Sequence, residues 1–288
     1  MMDRREFVMS SLAFSAATSA GAMVDKPAPS PRFAHRQAQM ITEPGQSVFD
    51  LAARIPGLSG VQLQMIWKGT DISEGAQAVE LRQEARDKGL LIPSIAGIWK
   101  PGENILKTDV AERAIGNAIR TASTVEAQVI LIVMFKENCP DLTDPRSYEP
   151  VVALLRRMSA PARDAGVKLC PETSLTPADD RKLLELVDRS SVRSYYDATN
   201  TETFHPGEGV PGIKLLGPLI GECHLKNENR RLNQTPSKVD WTAAIRAYRD
   251  IDYNHWFCFE TEHATTQAVI EDTKSNIAFV RSQLTSRT

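Results

Sequence analysis

Apolar and polar positions run along this chain in blocks, and the period of the pattern switches from block to block. Residues 60–66 (GVQLQMI) alternate with period two, the mark of a strand. Residues 128–135 (QVILIVMF) form a near-continuous apolar run, which suits a strand buried on both faces of a parallel sheet. Between such runs the apolar positions repeat at helical spacing. In 47–55, Val48, Leu51, Ala52 and Ile55 fall on one helical stripe behind a Ser47 cap. In 73–88 the stripe is Ala76, Val79, Leu81 and Ala85, and Gly89 ends it.

Taken in order, the pattern predicts strands at 35–41, 60–66, 90–98, 128–135, 167–173, 192–200, 221–227 and 256–263. Helices are predicted at 47–55, 73–88, 108–126, 149–165, 177–188, 211–219, 240–248 and 264–283, with a Gly/Pro-rich loop over 204–212. Strands that alternate with helices imply a parallel sheet. Eight repeats over ~250 residues predict closure into a single-domain (β/α)8 TIM barrel, an α/β fold. No Gly-x-Gly-x-x-Gly follows the first strand, so an open dinucleotide-binding sheet lacks its main support.

Composition adds little to this: 288 residues allow one large domain or two small ones, and 42% hydrophobic, 24% charged and a net charge of -2 are ordinary for a soluble globular protein. No long basic run points to a nucleic-acid partner. The start of the chain differs. Arg4-Arg5-Glu6-Phe7 precede a mild apolar run over 8–20, and Ala20-Gly21-Ala22 fits a small-residue cleavage site. The arginine pair resembles a twin-arginine export signal. The expected organisation is a signal peptide at 1–22, a Pro-rich linker at 23–34 and the barrel at 35–288, with a periplasmic or extracellular address. No other run reaches the ~18 apolar residues of a membrane span, so no membrane contact is expected after signal removal. Cys139, Cys170, Cys223 and Cys258 form no C-x-x-C pair. Cys170 and Cys258 are expected to fill the barrel lumen as small buried side chains.

The chemistry gathers at four successive strand ends, which carry Glu172, Asp197, His224 and Glu260. They are spaced by about one strand, one helix and two loops, ~30 residues per step. Polar residues at the C-terminal ends of consecutive barrel strands converge on one face. Alone, each would read as a loop cap, a salt-bridge partner or a structural histidine; four in a row point to a shared site. Two glutamates, an aspartate and a histidine make a hard, oxygen-rich donor set for one divalent ion. The imidazole favours Mn²⁺, Co²⁺ or Zn²⁺ over Mg²⁺, with Mn²⁺ the first expectation. An ion held this way binds a carbonyl and a hydroxyl of a sugar and stabilises the enediolate formed when the α-proton leaves. The glutamates then serve as base and acid. Lys226 and Asn227 extend the seventh strand towards substrate, and Trp67 and Trp99 end the second and third strands, where a ring can stack on a sugar or plug the lip of the barrel. Gln64, Lys136, His205 and His263 read as structural or solvated.

These residues resemble the sugar phosphate isomerase/epimerase family, the xylose isomerase-like TIM barrels, over roughly residues 36–284. That family includes the ketose 3-epimerases, inosose dehydratase and the related endonuclease IV group. The resemblance implies that Glu172, Asp197, His224 and Glu260 bind the metal, with Glu260 preferred to Glu262 because it lies within the apolar run. It also implies that Glu172 and Glu260 are the acid/base pair, and that Arg230, six residues after His224 in HLKNENR, binds substrate oxygen. Two positions depart from the pattern. Asn200 stands where the epimerases carry a substrate-facing His three residues after the metal Asp, and Ala178 where they carry a Glu six residues after the first metal Glu. Both departures put free-ketose 3-epimerase activity in doubt. The endonuclease IV group needs further histidines from the early strands, and only His35 lies in the first half. The implied function is a metal-dependent isomerase or epimerase of a small-molecule carbohydrate, compatible with a homo-oligomer. The alternative is a lyase or dehydratase acting by β-elimination on a 3-keto sugar or 3-keto-glycoside, which export favours. A non-catalytic carbohydrate-binding barrel is the second alternative.

Overall fold

The computed structural model describes residues 30–286 except 74 and 229. The expected signal peptide and most of the expected linker lie outside these residues. Eight parallel strands form one sheet: β1 (Arg32–Arg36), β2 (Gly60–Gln64), β5 (Ser94–Ala96), β6 (Val129–Met134), β7 (Lys168–Thr173), β8 (Ser194–Asp197), β9 (Ile220–Leu225) and β10 (Trp256–Phe259). Their order is β7-β6-β5-β2-β1-β10-β9-β8. The two end strands meet through a short parallel bridge. Leu169 N–H donates to Ser191 O at 2.8 Å, and Arg193 N–H donates to Leu169 O at 3.0 Å. The sheet therefore curls into a nearly closed barrel, as the alternation predicts.

Helices lie between the strands: α1 (Val48–Ala53), α2 (Ala76–Asp87), α3 (Thr108–Val125), α4 (Pro145–Asp164), α5 (Pro177–Val187), α6 (Ala198–Phe204), α7 (Gly209–Leu216), α8 (Trp241–Asp250) and α9 (Thr266–Thr285). Their starts follow local chemistry. Ser47 and Asp50 cap α1 reciprocally, each side chain accepting from the other's backbone N–H. Thr176 caps α5 ahead of Pro177, which sits where its missing N–H leaves no bond unmade.

Several boundaries differ from the sequence reading. The first strand is Arg32–Arg36, not 35–41, because Phe33 and Ala34 pair with Phe257 and Cys258 of β10; residues 37–39 turn into a 3-10 helix instead. The barrel thus begins inside the expected linker. Helix α4 starts at Pro145, ahead of the expected 149, because Asp144 caps it. The single helix expected at 211–219 is replaced by two. α6 begins directly after Asp197, whose side chain accepts from Asn200 N–H, and α7 takes up the Gly/Pro-rich segment read as loop. A two-stranded hairpin, β3 (Ile66–Trp67) and β4 (Thr70–Asp71), follows β2 and was not expected. Its turn residues Lys68 and Gly69 both have positive φ, as tight hairpin turns require.

Side-chain alternation divides the interior into two layers. Phe33, Val61, Leu63, Ile130, Phe257 and Phe259 belong to one continuous core shared with the helices. Each such large side chain contributes about 1.5–3 kcal/mol by leaving water. The opposite faces of the same strands point into the lumen. There Ala96, Val129, Leu131, Cys170 and Tyr195 pack together, and Ala34, Trp256 and Cys258 form a second small cluster. Gly60 makes room for this plug: a Cβ there would lie 2.9 Å from Trp256 Cζ3. All four cysteines are free.

Candidate metal centre

The lumen face turns polar towards the C-terminal ends of the strands. Glu172 lies on β7, Asp197 ends β8, His224 lies on β9, and Glu260 follows β10. All four are buried, at 4%, 3%, 0% and 7% exposure. Asp197 and His224 are register partners across β8 and β9, which brings their side chains together. Glu172, Asp197 and His224 each offer a donor atom, and these atoms lie within 4.8 Å of one another. His224 Nδ1 is 3.6 Å from Glu172 Oε1 and 3.5 Å from Glu260 Oε2. Glu262, the alternative to Glu260, is exposed, because β10 ends at Phe259 and strand alternation no longer applies beyond it.

A buried network one layer down sets the state of the histidine. Gln62 on β2 donates its amide hydrogens to Ser94 Oγ at 2.9 Å and to Tyr195 Oη at 2.8 Å. Both hydroxyls donate in turn to Glu222 Oε1, at 2.6 and 3.0 Å. Gln62 Oε1 is left as an acceptor, so His224 Nε2, 3.0 Å away, carries the proton. The bare nitrogen is then Nδ1, which faces the carboxylates. Burial, with Arg36 and Lys226 nearby, holds the His224 pKa well below its ordinary value, so the ring is neutral, the form that ligates metals. Burial lifts the Glu222 carboxyl to about 7 against the bonds from Ser94 and Tyr195. It also raises the Glu172 carboxyl, opposed by Lys226, Arg36 and Asn200.

The donor set fits a divalent cation. His224 Nδ1 is buried without a hydrogen-bond partner, which costs about 1–3 kcal/mol unless something compensates it, and Asp197 Oδ2 is buried with no hydrogen bond and only the Lys226 ammonium beside it at 2.9 Å. Asp197 Oδ1 is used as the α6 cap, accepting from Asn200 N–H at 2.8 Å, which leaves Oδ2 aimed at the cluster.

Of the residues expected to bind substrate, two join the cluster. Asn200 Nδ2 donates to Glu172 Oε1 at 3.0 Å. Lys226 Nζ donates to Glu260 Oε2 at 2.9 Å and lies 2.9 Å from Asp197 Oδ2 outside hydrogen-bond geometry. The others sit elsewhere. Arg230 is exposed, and its Nη1 donates to Thr235 O at 2.9 Å beside a 270 Å³ cavity shared with Thr199 and Lys238. Trp99 is half-buried against the main core, its Nε1 donating to Val133 O at 3.1 Å. Trp67 belongs to the unexpected hairpin, its ring 5.4 Å from Lys68 Nζ. Asn227 spends its amide hydrogens on the carbonyls of Arg231 and Gln234. A separate cavity of 520 Å³, lined by Met65, Ile98, Lys100 and Arg113 among others, does not reach the cluster.

Sequence reasoning missed Arg36, Gln62, Ser94, Tyr195 and Glu222. Arg36 ends β1 and pairs with Glu260 Oε1. With its amide oxygen turned to the guanidinium, Gln64 accepts from Arg36 Nε at 2.8 Å and from Nη2 at 3.2 Å. Period two from His224 would have pointed to Glu222 and Lys226 as its lumen-facing neighbours.

Among solved structures, a D-psicose 3-epimerase crystallised with D-fructose matches with a TM-score of 0.67 at 17% identity, over 88% of this chain and 100% of that one. A xylose isomerase-like TIM barrel protein from Mycobacterium smegmatis in complex with magnesium matches with a TM-score of 0.65 at 18% identity, over 88% and 97%. A 3-keto-D-glucoside 4-epimerase from E. coli matches with a TM-score of 0.63 at 13% identity, over 88% and 99%. No curated protein sequence matches the chain. The model of the xylose isomerase-like TIM barrels matches residues 49–283, and the chain belongs to that family.

Proposed function

We propose that this protein is a divalent-metal-dependent isomerase or epimerase of a carbohydrate, acting at the carbon next to a ketone. The observation that carries the reading is His224 Nδ1, a buried acceptor without a hydrogen-bond partner that faces Glu172 and Glu260 and is grouped with Glu172 and Asp197 at the strand ends. Glu172, Asp197 and His224 would hold the ion, with Glu260 as the fourth donor. Bound there, the ion supplies Lewis acidity that favours loss of the proton α to the ketone. Mn²⁺ is the first expectation on the mixed oxygen and nitrogen donors.

The chain's own groups divide the proton work unequally. Glu172 has one oxygen held by Asn200, so the other is available to take the proton from carbon. Glu260, the second of the proposed pair, is held by Arg36 on one oxygen and by Lys226 on the other. It gives or takes a proton on the opposite face once substrate engages those cations. The carbohydrate class is supported by the structural likeness to a D-psicose 3-epimerase and a 3-keto-D-glucoside 4-epimerase. The arginine-pair leader supports export, and no helix among the described residues is long and apolar enough to cross a membrane.

A second reading, β-elimination on a 3-keto sugar or 3-keto-glycoside, is favoured by Lys226, whose ammonium sits among the carboxylates where it can protonate a leaving oxygen. Elemental analysis of the purified protein beside His224→Ala tests the shared premise. Near-stoichiometric Mn, Co or Zn in the parent and its loss in the variant are expected; no metal in the parent after soaking with divalent ions overturns both readings. Solvent-deuterium uptake next to the ketone, with or without release of water or an aglycone, then separates lyase from isomerase.

A further inference from the structure

The four-residue donor set does not call for cations, yet the cup contains two. Arg36 ends β1 and Lys226 follows β9, the strands on either side of β10. They reach Glu260 from both flanks, Arg36 at Oε1 and Lys226 at Oε2. Both are held in place from behind. Gln64 faces the Arg36 guanidinium, and Thr199 Oγ1 donates to the Lys226 carbonyl at 2.9 Å. Each side chain is only 19% exposed. Such placement is unlike the solvated surface pairs that contribute little to stability.

The formal charges in contact are three carboxylates, Glu172, Asp197 and Glu260, against Lys226 and Arg36, with His224 neutral. Glu222 lies a layer below and is engaged by Ser94 and Tyr195. A divalent ion on the donor set turns one surplus negative charge into one surplus positive charge. A buried surplus charge is unfavourable unless a partner arrives with the opposite sign. Lys226 donates one N–H to Glu260 Oε2 and lies 2.9 Å from Asp197 Oδ2 without a hydrogen bond, so its ammonium has donors left to give.

We infer that Lys226, supported by Arg36, is a specificity-determining residue that selects an anionic substrate: a sugar acid with its carboxylate next to the reacting carbonyl or hydroxyl. The inference rests on the metal-dependent reading above. A single carboxylate matches the single surplus charge. Both cations touch the donor cluster itself, so a charge at the far end of a sugar, such as a terminal phosphate ester, does not meet them.

The probes are glycolate and its neutral isostere glycolamide, titrated by calorimetry into protein preloaded with Mn²⁺. Wild type, Lys226→Met and Lys226→Arg are compared, with folding checked by circular dichroism. The glycolate-over-glycolamide preference is expected to fall about tenfold in Lys226→Met, the scale of one charge-assisted hydrogen bond, and to persist in Lys226→Arg. Lys226→Gln replaces the methionine variant if that one does not fold. An equal preference in wild type and the neutral variant overturns the inference, since the preference then belongs to the metal alone. Absence of Mn²⁺ binding in the initial titration overturns the metal-dependent reading instead.

Discussion

Gln62 and His224 meet across the barrel lumen, from strands that are not neighbours in the sheet, with Gln62 Oε1 3.0 Å from His224 Nε2. Because both Gln62 amide hydrogens are spent on Ser94 and Tyr195, the carbonyl oxygen can only accept. One side chain thus fixes both the ring orientation and the tautomer that bares Nδ1. Outer partners of ligating histidines typically contribute 10–100-fold to metal affinity. Gln62→Leu is therefore expected to weaken Mn²⁺ binding by about 10–100-fold, measured by calorimetric titration. Nitrogen-15 NMR of the histidine ring is expected to show the Nε2–H tautomer in the parent and a mixture in the variant. Unchanged affinity and an unchanged tautomer would show that β9 alone sets the ligand.

Asn200 links α6 to the first glutamate. Its backbone N–H bonds Asp197 Oδ1 and its side chain bonds Glu172 Oε1, so one residue ties two donors together. Asn200→Ala keeps the backbone bond and removes the other. Loss of one hydrogen bond to a charged group costs about 1.5–3 kcal/mol. Mn²⁺ affinity is expected to fall by tenfold or somewhat more, and the melting temperature by several degrees, since the bond is also present in the metal-free fold. A variant that binds as tightly as wild type would assign Asn200 to substrate rather than to Glu172.

The fold was legible in the sequence because most barrel strands, though not β1, show as apolar or alternating runs between helical stripes. VILIVM of β6 suits a strand buried on both faces, and Gly89 and Gly166 stop helices where they are expected to stop. Convergence of Glu172, Asp197 and His224 was legible for the same reason, each ending an apolar run. What was not legible depends on contacts between distant segments. Arg36 enters the site only because Phe33 and Ala34 pair with β10, a register that no local pattern reveals. Gln62 is one of two glutamines in an alternating strand, and only Tyr195 and Ser94 across the lumen give it a role. Arg230 had the right spacing, but the loop after β9 carries it outward to Thr235. Asp197 read as a strand end and is also a helix cap, which hid α6.

Packing beside the site predicts a stability effect at Gly212. This residue lies on α7 against α5 and β8. A Cβ there would run into Tyr196 Oη and approach Pro177 Cγ to 2.7 Å. Tyr196 cannot yield freely, because its buried hydroxyl donates to Gly209 O at 2.7 Å. Gly212→Ala is expected to destabilise the fold by about 1–3 kcal/mol despite the better helix propensity of alanine. Urea denaturation checks this; a gain in stability would mean that α7 shifts as a body without cost.

Asp180 makes stability depend on pH through a group outside the donor set. It lies on α5 at 5% exposure, with Ser194 Oγ donating at 2.7 Å and Thr173 Oγ1 at 3.4 Å. Burial lifts its carboxyl from 3.8 to about 6, with these two bonds opposing the rise. A raised carboxyl means that the folded state holds the proton more tightly than the unfolded chain. Its contribution to stability is therefore full below the unfolded value of 3.8 and is lost as pH rises through about 6, with no further change above. At 1.36 kcal/mol per pH unit, the loss is of order 3 kcal/mol. Asp180→Asn cannot ionise, and its carbonyl still accepts from Ser194. The variant is expected to gain on wild type steadily between pH 4 and pH 6.5 and to hold a constant lead above, measured by urea denaturation at each pH. A difference that stays flat across this range would show that water reaches Asp180 and that burial does not govern its proton.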